Sequence, residues 1–572
     1  MKRILSLVLI AAMLFGGFGC STITEPEAAY HTGLSFSELE PSGKRVSLEI
    51  ARAKELLFRI ERGELSGDRA QTMLDAAEET YQALETDASI AYIRYCRDVT
   101  DRENKSAYDD LASGLEALGC ILVDAALLLR ADPVLRERYD AKTVDSLLRE
   151  DALSDPAILP LIERERDLVG AYEALPERLI VERHGKRWTG DEILSDPTLS
   201  PEDFAALYEQ YQDLFNREAG AIYLELIRVR RKIAKTLGFK SYAEYRYDRI
   251  GRSYTPADAA QLSEHVRDAF APVLSQTAAP FYRAAGVLCN RTYACGPAMR
   301  GIGTAIAEML PELSEPWTYM TGHGMFDLGT DPKRMPGSFT VYLADYGAPF
   351  LFSSWTNGFD MPPTVIHEFG HYASFYLRGS GTETEDALDL AEIDAQGLEL
   401  LTVMRYDTIY GAVSDAAETA ELFYALYALL DGCAEDAFQQ YAYAQEEPTL
   451  EALNAEYERL IGEYGLDRFG AEARSWTQIP HTFQSPFYYI SYAAGMLTAL
   501  ELYVMSKSDP DAAKEAYRAI LTRTDGGLLR ILKQAGLNDP FDPEHMRNLA
   551  HELERIQSKE ETDGRNGTQN DR

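Results

Sequence analysis

The sequence predicts a mainly α-helical protein with a small β-sheet placed directly before one candidate metal-binding helix. Three observations carry this. From Val46 onward, apolar residues recur at helical spacing, as in Leu48, Ala51, Leu56, Leu57 and Ile60. Only residues 337–343 and 349–355 break the pattern: they are rich in β-branched and aromatic residues, with alternation, and 344–348 joins them as a hairpin turn. His367-Glu368-Phe369-Gly370-His371 follows at once, an H-E-x-x-H pattern whose spacing of four puts both imidazoles on one helix face.

Taken in chain order, residues 1–19 read as a signal peptide. Lys2-Arg3 is a basic start, and Ile4 to Phe15 is an apolar run too short to span a bilayer. The small residues before Cys20 resemble a bacterial lipoprotein processing site, with Gly17 where leucine is usual. The reading is a lipidated Cys20 that holds an exported protein on a membrane surface, facing the periplasm or at the cell surface. The alternative is an ordinary cleaved signal. Residues 20–45, rich in Thr, Ser, Pro, Glu and Gly, read as a tether. Residues 46–199 form an N-terminal helical region, with helices over Ala70–Leu84 and Tyr108–Arg130. A helix over Pro201–Leu237 opens a catalytic region at 200–557. Within it, Thr255-Pro256 caps a helix that runs toward Val273. Residues 558–572 are polar and read as a disordered tail. No internal repeat stands out.

Length and composition bound the function. A chain of 572 residues, 46% apolar, suffices for two or more domains, or for one large domain with a deep cleft. The net charge is 56 − 92 = −36, which argues against nucleic-acid binding. Beyond Cys20 there are five cysteines, so an exported form keeps at least one free thiol. Cys289 and Cys295 could close a small disulfide loop or stand as unpaired small apolar residues.

The histidine motif carries the chemistry. With 9 His and 92 acidic residues, independent placement gives H-(D/E)-x-x-H about 0.02 times in such a chain. Val365-Ile366 and Tyr372-Ala373 flank the motif, so its helix is buried, and buried polar groups need partners. One zinc ion per chain would supply one. His367 and His371 would grip the metal, with Glu368 beside it to activate a metal-bound water. A catalytic zinc usually takes a third protein ligand. Glu392, among apolar neighbours on an amphipathic helix, is the choice over a merely solvated acidic face. Glu399, seven residues on and on the same face, or Asp394, would orient a ligand histidine.

Two further groups bear on catalysis. Phenol and imidazole donors stabilise the oxyanion formed when an amide is attacked. His481, Tyr488, Tyr489 and Tyr492 could supply them, although a tyrosine stripe is more often core. The sheet edge at Gly337, Ser338 and Phe339 could align an extended peptide by strand addition, or could be a packing sheet with no substrate contact.

These residues resemble the zinc oligopeptidases typified by oligoendopeptidase F and thimet oligopeptidase, most closely the oligoendopeptidase F branch. The likeness covers roughly residues 200 to 555. It rests on His367-Glu368-Phe369-Gly370-His371, on Ala391-Glu392-Ile393-Asp394 with Glu399, and on His481 with Tyr488 and Tyr492. Phe326-Asp327-Leu328, Lys333 to Phe339, Ala234 to Tyr242 and Tyr517 to Leu521 add to it. Ser374, Ala395 and Ile490 depart from the family's usual residues, and the stretch after His481 needs a one-residue insertion. The resemblance implies a two-lobed helical shell around a deep channel that admits short unstructured peptides. It implies zinc held by His367, His371 and Glu392, with Glu368 as general base, and an oxyanion bound by His481 and a tyrosine. The expected activity is therefore endopeptidase cleavage of short peptides. A zinc carboxypeptidase or dipeptidyl carboxypeptidase is the rival enzyme, and a peptide-binding lipoprotein without catalysis the rival of another class.

Overall fold

The computed structural model describes residues 31–130, 157–379, 386–523 and 526–570, with side chains up to 558. The signal peptide and Cys20 lie outside the described residues. Helices are 74% of the structure, and the sheets are small.

Three helices open the described chain: α1 (Val46–Glu61), α2 (Gly67–Arg97) and α3 (Arg102–Arg130). They close on their own apolar core, with Leu56, Leu74, Leu118 and Leu122 buried between them. The second half of α2 belongs elsewhere. Ile90, Ile93 and Cys96 join the main core, so α2 links the two. Residues 31–45 are not a free tether. Phe36 packs on Phe350, Leu39 is buried, and the Thr32 N–H donates to the Tyr346 carbonyl. Burial of those side chains outweighs the polar composition that marks a linker.

After α4 (Leu159–Glu173) comes a short hairpin that the sequence did not announce, β1 (Val181–Arg183) and β2 (Lys186–Trp188). His184 and Gly185 both take positive φ, 52° and 75°, as a tight two-residue turn requires. The long helices α5 (Pro201–Thr236) and α7 (Pro256–Leu288) follow, with the short α6 (Tyr242–Arg249) between them. Thr255 caps α7 as expected, its hydroxyl accepting from the Asp258 N–H. The helix does not stop near Val273 but runs through Pro272 and Pro280 to Leu288. Each proline costs a backbone bond. Phe270, Leu274, Phe281 and Leu288 are buried along the helix, and that burial offsets the loss.

Next come α8 (Cys295–Met309), α9 (Ser314–Gly322) and a three-stranded sheet of β3 (Phe326–Gly329), β4 (Ser338–Leu343) and β5 (Ala348–Ser354). The expected hairpin is there: β4 pairs antiparallel with β5, Ser338 opposite Ser353 and Leu343 opposite Ala348. Gly347 takes φ +56° in its turn. Strand β3 runs parallel to β5 on the other side, so β4 is an edge strand. Against β4 and β5 lies α10 (Met361–Arg378), the motif helix, and against α10 lies α11 (Ala387–Thr402). Further along the chain lie α12 (Ser414–Ala444), α13 (Leu450–Glu463), the short α14 (Pro480–Gln484), α15 (Tyr489–Ser508), α16 (Pro510–Leu521), α17 (Leu528–Gln534) and α18 (Pro543–Asn570). The backbone of α18 stays helical past residue 558, where composition had placed a disordered tail. Its Lys and Glu residues there are good helix formers that let an established helix continue. All five described cysteines are free, so Cys289 and Cys295 form no disulfide.

Candidate metal centre

Two glycines set how closely the site helices approach. On α10, a Cβ at Gly370 would stand 2.5 Å from the Asp394 carbonyl oxygen and 2.6 Å from the Ala395 Cα. On α15, a Cβ at Gly495 would stand 2.9 Å from the Glu392 Cβ. Only glycine allows either contact, and the two together clamp α11 between α10 and α15. That clamp brings Glu392 to the histidines.

His367, His371 and Glu392 converge. Each offers a ligand atom within 4.8 Å of the other two. The His367 Nε2, His371 Nε2 and Glu392 Oε2 atoms are buried and have no hydrogen-bond partner. Three orphaned acceptors at one point are costly alone. Two imidazole nitrogens and a carboxylate oxygen are the donor set of a zinc site. The residues present therefore fit a zinc ion.

The surrounding side chains orient these ligands. His367 Nδ1 lies 3.1 Å from Glu399 Oε2, a contact that points Nε2 toward the cluster. The Glu399 carboxyl in turn shares a buried hydrogen bond with Glu421, and the Tyr406 hydroxyl donates to Glu421 at 3.0 Å. Burial raises both carboxyls, Glu399 to about 7 and Glu421 further. Asp394 has a different task from the one considered for it. It accepts from Arg523 at 2.5 and 2.9 Å, from Ser374 at 2.7 Å and from Arg378 at 3.2 Å. It thus ties α11 to α10 and to the end of α16, and it is engaged by arginines where an orienting role would need a histidine.

Glu368 is fully buried. The Thr340 hydroxyl on β4 lies 2.8 Å from its Oε2, while its Oε1 has no partner. Burial lifts the carboxyl to about 7, against the pull of His367 and Thr340. A carboxyl near neutrality can take a proton and give it back. His371 is pushed the other way, well below its ordinary value, by burial and by the neighbouring His367, which leaves it neutral and able to act as a ligand.

The second histidine cluster reaches the same place. Tyr488 donates to Glu392 Oε1 at 2.5 Å. The His481 ring lies 5.3 Å from those of Tyr488 and Tyr489 and 6.1 Å from that of Tyr492, and Tyr488 and Tyr492 are 5.1 Å apart. All four rings are thus neighbours, and Tyr488 is bonded to a metal-cluster residue. Before it stands Phe487 at φ +64°, a strained left-handed backbone for a bulky residue. Tyr488 is the N-cap residue of α15 rather than part of a continuous helix with Tyr492.

The sheet departs from expectation in its side chains. The Ser338 and Ser353 hydroxyls bond each other at 2.6 Å. Phe339 is buried against Phe352 and Tyr92, and the Gly337 carbonyl accepts from the Ser354 N–H. The side chains of Ser338 and Phe339 are therefore used inside the protein, because both faces of this strand are buried there. Sequence reasoning missed Thr340, Glu421 and Tyr406. Strand alternation places Thr340 on the face opposite Phe339, which was the available signal for it. Glu421 and Tyr406 gave none.

No protein-family model and no curated protein matches the chain. Solved structures do. A 3.1 Å X-ray structure assigned to oligoendopeptidase F superposes with a TM-score of 0.76 at 21% identity, covering 92% of this chain and 98% of its own. The chain has the fold of the oligoendopeptidase F structures. A second structure assigned to that enzyme, from Bacillus anthracis str. Ames, gives 0.73 at 20% identity, covering 92% and 98%. PZ peptidase A with an inhibitor gives 0.76 at 20% identity, covering 92% and 99%.

Proposed function

We propose that this protein is a zinc-dependent oligoendopeptidase that hydrolyses internal bonds of short unstructured peptides. One observation carries the reading: the three orphaned, buried ligand atoms of His367, His371 and Glu392 lie beside a buried carboxylate, Glu368. The likeness to oligoendopeptidase F and PZ peptidase A folds supports it. A zinc ion held by His367, His371 and Glu392 would supply Lewis-acid chemistry, making water acidic and polarising a carbonyl.

The chain's own residues do the rest. Glu368 takes the proton from the attacking water on Oε1, which nothing else occupies, and returns it to the leaving amine. Thr340 holds the other oxygen and fixes the carboxylate plane. Glu399 holds the His367 ring. His481 donates to the oxyanion, Tyr488 joins it by turning its hydroxyl away from Glu392, and Tyr492 shapes their pocket. The proposal includes a short peptide as substrate, presented along the backbone edge of β4, and a site outside the cytoplasmic membrane, tethered through a lipid on Cys20.

The test is cleavage of a mixed peptide library by the zinc-loaded protein, with cuts mapped by mass spectrometry. Internal cuts that vanish in Glu368→Gln, with zinc retained, are the expected result. Cuts at a fixed distance from the C-terminus would assign a carboxypeptidase instead. A protein that binds peptides and cuts none would be a binder.

A further inference from the structure

The segment that carries His481 and Tyr488 is irregular, and three of its backbone groups and one of its hydroxyls are met by side chains from other helices. The Phe483 carbonyl accepts from the buried Arg230 of α5, which also donates to Glu165 at 2.6 Å and Tyr443 at 2.9 Å. The Pro486 carbonyl accepts from Arg246 of α6 at 3.3 Å. The Phe487 N–H donates to Gln439 Oε1 of α12 at 2.6 Å. The Thr482 hydroxyl donates to Glu435 Oε2 of α12 at 3.3 Å.

The α12 contacts are unusual in kind. Glu435 and Gln439 are one turn apart on one face, and both are fully buried. Polar side chains at such core positions cost stability unless they fix something an apolar contact cannot. Here they meet the segment at the two residues adjoining the donors: Thr482 follows His481, and Phe487 precedes Tyr488. Gly432, one turn earlier, lets the α12 backbone come close under Tyr489, where a Cβ would stand 2.7 Å from the Tyr489 carbonyl. The Gln439 bond falls on Phe487, whose φ of +64° is the strained point of the segment. A bulky residue stays in that region only when its surroundings hold it. Released, Phe487 would fall back to negative φ and swing Tyr488 off Glu392.

We propose that Gln439, with Glu435 beside it, is a positioning residue: it holds Phe487 in its left-handed conformation and so sets the Tyr488 hydroxyl on Glu392, from where it can turn to the oxyanion. This rests on the peptidase reading above. Gln439 touches no substrate and acts only through Tyr488.

The experiment is a double-mutant cycle on the zinc-loaded full chain, with a fluorogenic peptide that the wild type cuts. Gln439→Met keeps the volume and removes the acceptor. The expected loss is about 10- to 100-fold in kcat with KM changed little, since a misplaced catalytic group costs on that order. In a Tyr488→Phe background the same change should cost less than about twofold, because the group it positions is already gone. Zinc content and the thermal midpoint are measured for every variant. A full kcat loss in the Tyr488→Phe background, or none in the wild-type background, overturns the inference. If Gln439→Met does not fold, Gln439→Leu, which also removes the acceptor for the Phe487 N–H, takes its place in the same cycle, with the same non-additive loss expected. A zinc-loaded wild type that cuts no peptide sinks the peptidase reading and this inference together; an active wild type with additive losses sinks this inference alone.

Discussion

Two histidine-bearing regions meet at one point, and they are built on opposite principles. His367 and His371 sit on a regular helix, and local periodicity alone puts them side by side. His481 and Tyr488 sit on a short helix and a strained turn, and they reach the site only because α5, α6 and α12 hold the backbone there. The first region spends its specificity on helix spacing and on glycines that let helices touch. The second spends it on buried polar contacts. A local arrangement tolerates changes elsewhere in the molecule, whereas the second is only as accurate as its neighbours.

That contrast can be tested, starting with the group expected to matter most. Glu368→Gln should lower peptide cleavage by about 10²–10⁴-fold while metal analysis finds zinc at wild-type levels. Near-normal turnover would mean that the first region is not the seat of proton transfer. Tyr488→Phe should lower kcat by about 10²-fold, as loss of one oxyanion donor does, with little change in KM. A change confined to KM would make Tyr488 a binding group and erase the division drawn here.

Smaller effects probe the supports. Glu399→Gln should weaken zinc binding about 10- to 100-fold in a chelator competition, because the His367 ring loses its partner. Gly370→Ala should lower stability by about 1–3 kcal/mol in urea unfolding, since its Cβ would stand 2.5 Å from the Asp394 carbonyl. An unchanged midpoint would show that the helix crossing is looser than the packing indicates.

The last effect is pH-dependent. Burial raises the Glu368 and Glu392 carboxyls to about 7 from an ordinary 4.5. Between those values the folded metal-free protein binds more protons than the unfolded chain, so its stability falls as pH rises from about 4.5 toward 7. Zinc bound by Glu392 and close to Glu368 favours the charged form of both and should flatten that slope. Thermal midpoints of the metal-free and zinc-loaded protein across this range provide the check, and parallel curves would count against Glu392 as a ligand.

Much of this was legible in the residues themselves. The helical class, the β4–β5 hairpin, the His367–His371 pair and Glu392 all follow from periodicity and from polar residues in apolar surroundings, signals carried within about twenty residues of chain. Gly370, inside the motif, could be seen but not explained until α11 lay across it. Other features left no local trace. Thr340 differs from any strand threonine only because α10 packs on its face. Asp394 stands two residues from Glu392, yet Arg378 on the neighbouring helix and Arg523, far along the chain, claim it. Residues 31–45 look like a linker but bury Phe36 and Leu39. Phe487 shows no mark of its positive φ, since Gln439 and the packing around it impose that conformation from outside. The sequence alone determined that His367 and His371 share one helix face, because helical spacing is a local property. Only the tertiary structure decided which groups complete the site, because burial and long-range contacts settle where a carboxyl or a phenol points.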